Sequence, residues 1–180
     1  MAEPVYDDML SLLADSILTH SIACLETTPS GVPADRFVSH DKPPEDCCDM
    51  IAVWVKQIRP TVSFPRTTVD PSPCGDLMMA LDVAVKLVRP CWPTQTGDKL
   101  DPFPGADVVH DAATNLLVDA RHLWCCLRSA NNEGVLIPYE GFDIVFGNMT
   151  PTRGGGCAGW VLDLVVEVPG CCWPYVSTGS

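Results

Sequence analysis

The side chains in this chain that could do chemistry are few, and their spacing suits no known reaction. Four histidines are present: His20, His40, His110 and His122. His110 and His122 fall in one helical pattern, and the roughly 18 Å of axis between them is too far for a shared metal. Both belong to its polar face, so solvated or interface histidines are expected. Cys125 and Cys126 follow Trp124 near the C-terminal end of the same pattern. A catalytic thiol needs a base and a depressed pKa, which a helix N-terminus favours and a C-terminus opposes. Packing in the core is the expectation for both. Thr150–Gly156 holds Arg153 and three consecutive glycines. A phosphate loop sets its glycines between a strand and a helix with a lysine after them. Here they precede a strand, so a hairpin tip that touches a neighbour is expected instead. Asp46, Asp49, Asp76 and Asp82 cluster near strand ends and read as surface charge. No Ser/His/Asp arrangement, nucleotide fingerprint or zinc-protease helix occurs. The chain is therefore not expected to be an enzyme, and no cofactor or metal is assigned.

The cysteines are more numerous than a cytoplasmic protein usually carries, at ten. None forms Cys-x-x-Cys, which weakens zinc-knuckle and thioredoxin readings. Three readings stay open: small buried hydrophobes, disulfides formed after release into an oxidising exterior, and a metal site. In an antiparallel hairpin the start of one strand lies beside the end of the next. Cys47 or Cys48 should then approach Cys91, while Cys157 and Cys171 mark the two ends of the final strand. Cys48, Cys91, Cys157 and Cys171 are thus candidate disulfide or packed thiols.

The positioning elements follow from periodicity. Ala106–Arg128 is the longest helical pattern, with an apolar stripe of Val109, Ala112, Ala113, Leu116, Leu117, Ala120, Leu123, Trp124 and Leu127. Its polar face is read as Asp107, His110, Asp111, Asn115, Asp119, Arg121 and His122. Asp107 and Asp111 at its start and Arg121 and Arg128 towards its end suit the helix dipole. Asn131, Asn132 and Gly134 should stop it. Val5–Glu26 predicts a first helix, and a short extended piece is expected at Arg36–Val38. Cys48–Val62 predicts a strand with Ile51, Val53 and Val55 on one side and Trp54, Lys56 and Ile58 on the other. Asp76–Arg89 predicts a second strand, with Leu77, Met79, Leu81, Val83, Val85 and Leu87 facing one way. Its other face, with Asp82, Ala84 and Lys86, is expected to be half solvated or subunit-facing. The two should form an antiparallel hairpin. Phe142–Met149 and Gly159–Val168 predict two more strands, the last presenting Leu162, Leu164, Val166 and Val168 to the core. The expected architecture is α+β. One mainly antiparallel sheet of four to five strands carries two helices on one face, in helix-hairpin-helix-hairpin order.

At 180 residues the chain is expected to form one domain over 1–172, followed by a flexible or partner-ordered tail at 173–180. Hydrophobic residues make up 47% and charged residues 19%, which excludes disorder. The absence of a long apolar run or a leader pattern predicts synthesis and folding in a cytoplasm, with no membrane partner. The formal net charge of −12 argues against binding of nucleic acid through its phosphates. It still permits a surface past which DNA slides without sticking.

Three segments carry a resemblance. Asp46–Pro65 (DCCDMIAVWVKQIRPTVSFP), Cys74–Pro93 (ending VRPCWP) and Gly154–Cys171 (GGGCAGWVLDLVVEVPGC) resemble the tail-terminator, or head–tail neck, proteins of actinobacterial tailed phages. These are patterns of Cys, Pro and Gly at strand ends, and they contain no catalytic signature. The resemblance covers about Asp46 to Cys172. It implies a terminator-like fold and a structural virion protein in the neck, assembled in the host cytoplasm. Such a protein forms a hexameric ring with copies of itself, caps the tail-tube protein, meets the neck or stopper protein of the head, and lets genomic DNA pass through its lumen. The loops at Phe64, Arg66 and Asp70 and at Thr152, Arg153, Gly154 and Gly155 are the expected subunit contacts. A tail-tube or connector subunit of the same particle is the alternative.

Overall fold

The structure is a computed structural model that describes residues 9–43, 49–61, 64–65, 78–90, 105–137, 142–154 and 157–169. Helix α1 (Met9–Leu25) is followed by strands β1 (Asp35–Ser39), β2 (Met50–Thr61) and β3 (Met78–Pro90). Helix α2 (Ala106–Asn132) comes next, then β4 (Ile144–Gly154) and β5 (Cys157–Pro169). The strands form one mixed sheet in the order β1-β2-β3-β5-β4. The short extended piece expected near Arg36 is a full edge strand that runs parallel to β2, while every other neighbouring pair is antiparallel.

Period-two alternation selects the face that the helices cover. Ile51 and Val53 of β2, Leu81, Val83, Val85 and Leu87 of β3, and Leu162, Leu164, Val166 and Val168 of β5 are all buried in one cluster. Leu13 and Ile17 of α1 and Leu123 and Leu127 of α2 complete it. The two helices run antiparallel. Ser16 donates to the Leu136 carbonyl at 2.8 Å, Cys24 is disulfide-bonded to Cys126, and Thr27 meets His122. Among the described residues no helix is long and apolar enough to cross a membrane.

Two bulges reset the alternation. On β2 the register shifts between Val55 and Gln57, so that Ile58 pairs with core-facing Leu81. Cross-strand partners share a face. Ile58 therefore points to the helix side, although 47% exposed, and not to the side of Trp54 and Lys56 as expected. On β4 the shift between Phe146 and Met149 keeps both of these residues against the core cluster. The strand then continues to Gly154, opposite Cys157, so the hairpin tip expected in Thr150–Gly156 is a paired strand as far as Gly154.

The expected half-solvated face of β3 is also corrected. Ala84 is fully buried and Lys86 is 2% exposed, with Ala52, Trp54, Met50 and Val88 buried around them. Met50, Val88 and Cys157 form a second, smaller apolar cluster against which Phe37 packs. The sheet is therefore buried on both faces in its central strands.

Helix α2 ends in a Schellman arrangement. Gly134 adopts a φ of 72°, its N–H bonds the Asn131 carbonyl, and the Val135 N–H bonds the Ala130 carbonyl. The helix thus runs four residues past Arg128. Its last turn holds no basic residue, so the expected match of Arg121 and Arg128 to the C-terminal dipole is not made there.

Gly159 marks the closest backbone approach between β3 and β5. A Cβ built there would lie 2.0 Å from the Leu87 carbonyl oxygen and 2.9 Å from the Val88 Cα. Both atoms are main chain and cannot rotate away. Gly159→Ala is expected to destabilise the domain by about 3 kcal/mol or more, read from the denaturant midpoint. An unchanged midpoint would mean that the two strands separate freely at this position.

Candidate functional site

The most connected polar side chain belongs to Arg89, beside the final residue of β3. Its Nε donates to Asp119 Oδ2 at 3.1 Å, its Nη1 to Asp49 Oδ1 at 2.9 Å, and its Nη2 to the Gly31 carbonyl. Asp119 is fully buried on α2, and its Oδ1 has no hydrogen-bond partner. This corrects its expected place on the solvated face of the helix. Asp49 is no loose surface charge either. It sits at a φ of 60°, its Oδ2 accepts from the Ala34 N–H at 3.1 Å, and its carbonyl accepts from the Asp35 N–H at 3.1 Å. One guanidinium thus ties the end of β3, the start of β2, the loop before β1 and the middle of α2. Asp82 is likewise engaged, gripped by both Nε and Nη2 of Arg59 at 3.1 Å and by Gln57 at 2.7 Å. These acids hold structure together. Asp46 and Asp76 lie outside the described residues.

An open cleft of about 580 Å³ lies across the sheet face opposite the helices. His40, Lys42, Trp54, Lys56, Thr152 and Asp163 supply most of its character. Within it Lys56 is already neutralised by Asp163 at 3.1 Å. Lys42 and Lys56 are balanced by Asp41 and Asp163, so the recess has no strong net charge to select an ion. Among the described residues no group of three or more His, Cys, Asp or Glu side chains is placed to hold a metal.

The structure disperses the remaining candidates. His20 bonds the Ser16 carbonyl one turn back, His110 is exposed, and His122 meets Thr27 at 2.9 Å. Cys125 is an exposed free thiol, while Cys126 is bonded to Cys24 across the helix pair. The expected core packing of two free thiols is thereby corrected, since neighbours on a helix point about 100° apart. Cys157 is buried and disulfide-bonded, and Cys48, Cys91 and Cys171 lie outside the described residues. Of the expected contact loops, Phe64 is half-buried in a turn, and Arg66, Asp70 and Gly155 lie outside the described residues. Thr152, Arg153 and Gly154 are strand residues paired with Gly159, Ala158 and Cys157.

The surface that sequence reading missed is the first half of α2. At 1.5 Å per residue α1 is roughly 26 Å long and α2 roughly 40 Å, so the antiparallel pair cannot cover both. Contacts with α1 begin at His122 and run towards Leu136. The buried residues of α2 begin at Asp119, and none of positions 105–118 is buried. Val109, Ala112 and Leu116 are only half-covered, and Leu117 is 57%, Val108 47% and Val118 41% exposed. The apolar stripe is real, but its N-terminal half is not buried. The two helices expected from sequence, Val5–Glu26 and Ala106–Arg128, are nearly equal in length and carry no signal of this.

Removing the Arg89 side chain strands a buried carboxylate, which costs about 3–5 kcal/mol. Arg89→Met is expected to lower stability by that amount in chemical denaturation, and Asp49→Asn by less. Equal, small losses would show that the buried arm to Asp119 contributes little. A second expectation concerns Glu167, whose N–H bonds the Asp143 carbonyl at 2.8 Å. Burial, and secondarily the Asp143 charge, holds its carboxyl above the ordinary glutamate range. The folded state therefore keeps this proton longer than the unfolded chain does. The resulting stabilisation is complete below the ordinary value and is lost as pH rises through the raised one. Glu167→Gln should match the parent at pH 4 and exceed it at pH 7, and a constant difference between the two pH values would contradict this. In comparisons with known proteins, no family model matches the chain and no significant match to a curated protein is found.

Proposed function

We propose that the chain is a structural assembly protein, a phage tail-terminator-like subunit. It closes into a ring, caps a tail tube at its head-proximal end, and joins it to the neck while DNA passes through. The observation that carries this reading is the unburied first half of α2. A row of apolar side chains on a helix, left half-covered or exposed among the described residues, is the form a subunit contact takes before assembly. The resemblance in the Cys, Pro and Gly pattern of the strand ends supports the same reading. So does the acidity of the chain, with 23 acids against 11 bases, which keeps a polyanion from adhering to a lumen. The reading assigns no reaction.

Native mass spectrometry of the purified chain, with negative-stain imaging, tests the proposal. A closed hexamer is expected. Leu117→Asp places a charge on the most exposed large apolar side chain of α2 and should weaken association tenfold or more. Because the site is exposed, monomer stability should move by no more than about 0.5 kcal/mol. Open-ended tubes would favour a tube subunit instead, and a monomer at every concentration would overturn the ring.

A further inference from the structure

The two helices are held together by more than packing, and this leads to a redox inference that does not depend on the ring. We infer that the Cys24–Cys126 disulfide is an oxidation-driven lock on a helix pair that is already folded without it. Three features of the helix pair support this. The partners are 102 residues apart in sequence yet are brought together by contacts that need no covalent bond. On one side of the bond Ser16 donates to the Leu136 carbonyl, and on the other Thr27 meets His122. Leu13, Ile17, Leu25, Leu123 and Leu127 are buried in the same core beneath it. The cysteines are thus pre-positioned by tertiary structure, and the bond closes a gap that folding has already closed.

The two sulfurs also differ in access. Cys24 is 3% exposed, whereas Cys126 is half-buried at the rim of the core. That asymmetry orders the chemistry. The Cys126 thiolate attacks a small-molecule disulfide such as oxidised glutathione, forming a mixed disulfide and releasing one thiolate. The Cys24 thiolate then attacks the Cys126 sulfur and displaces the second thiol. Two protein thiols are oxidised, the small disulfide is reduced to two thiols, and the electron count closes. Reduction by an excess of thiol follows the same path in reverse, entering at Cys126. Cys125, exposed on the next position of α2, remains a free thiol throughout.

The consequence is a protein that folds in a reducing compartment and stiffens on reaching an oxidising one. The lock falls about two turns beyond Asp119, where the burial of α2 begins, so it clamps the base of the uncovered half. A bond closing so long a loop is expected to raise the melting temperature by roughly 10 °C.

The test uses the full chain in three states: purified without reductant, treated with dithiothreitol, and re-oxidised with oxidised glutathione. Thiols are trapped by alkylation, and peptides are mapped by mass spectrometry. A peptide linking Cys24 to Cys126 should be present, disappear and return. Far-UV circular dichroism and a cooperative melt should persist throughout. Because Cys157 is also disulfide-bonded, dithiothreitol alone does not assign the shift. The Cys24→Ala/Cys126→Ala variant does. It should melt roughly 10 °C below the parent when both are oxidised and within about 2 °C when both are reduced. Should the double variant fail to fold, Cys126→Ser, at the half-buried position, carries the same comparison. Cys125→Ser should leave the linked peptide intact. Failure of oxidised Cys126→Ser to fold, absence of the linked peptide from the parent, or the same gap in melting between variant and parent in both states would each overturn the lock.

Discussion

The fold depends on one guanidinium. Arg89 leaves the end of β3 and reaches a buried carboxylate on α2, a second on the residue before β2, and a main-chain carbonyl in the loop before β1. Charge burial of this kind is tolerated only when the partners are already in place. Folding must therefore have brought sheet, helix and loop together before the arginine can be desolvated. The left-handed Asp49 completes the arrangement, because the same residue that receives Arg89 also receives the amide that starts β1. The Asp35 N–H bonds the Asp49 carbonyl, so the parallel edge strand starts at this tied corner.

The helices meet a different constraint, which is stagger. With Cys24 opposite Cys126 and Ser16 beside Leu136, α1 overlaps only the C-terminal part of α2, so the apolar stripe of α2 has two environments. From Asp119 onward it is core, and before Asp119 it is surface. Helix propensity carries the rod through both without a break. The Trp124 ring marks the transition, stacked edge-on against Phe146 at 6.2 Å with the Arg128 guanidinium 5.0 Å above it.

Much of the architecture was legible because it is local. Alternation placed Ile51, Val53, Leu81 to Leu87 and Leu162 to Val168 on the core side, as the structure shows. Gly134 was recognised as a stop because only a residue tolerant of positive φ serves there. What sequence could not show is set by residues far apart in the chain. Ala84 and Lys86 were expected to be half solvated, yet they are buried on the far side of the sheet. Asp119 looked polar by type, although its helical position lies within 40° of Leu123. Ile58 was assigned to the wrong face because a bulge leaves no mark in a hydrophobicity pattern. The pairing of Cys24 with Cys126 crosses most of the chain, and ten cysteines leave too many partners for spacing to choose. The fold class was readable, and the uncovered apolar half of α2 was not.

The edges of the sheet lead to a last consequence. β1 is five residues long, but β4 presents eleven along an open side. An uninterrupted edge of that length would invite any extended chain to add itself as a further strand. β4 is interrupted twice, by the bulge at Gly147 and Asn148 and by Pro151, which has no N–H to offer. The row of free donors and acceptors is broken into pieces too short to template a partner. Strand addition along the backbone of this edge is thereby discouraged, which lowers the risk of uncontrolled aggregation.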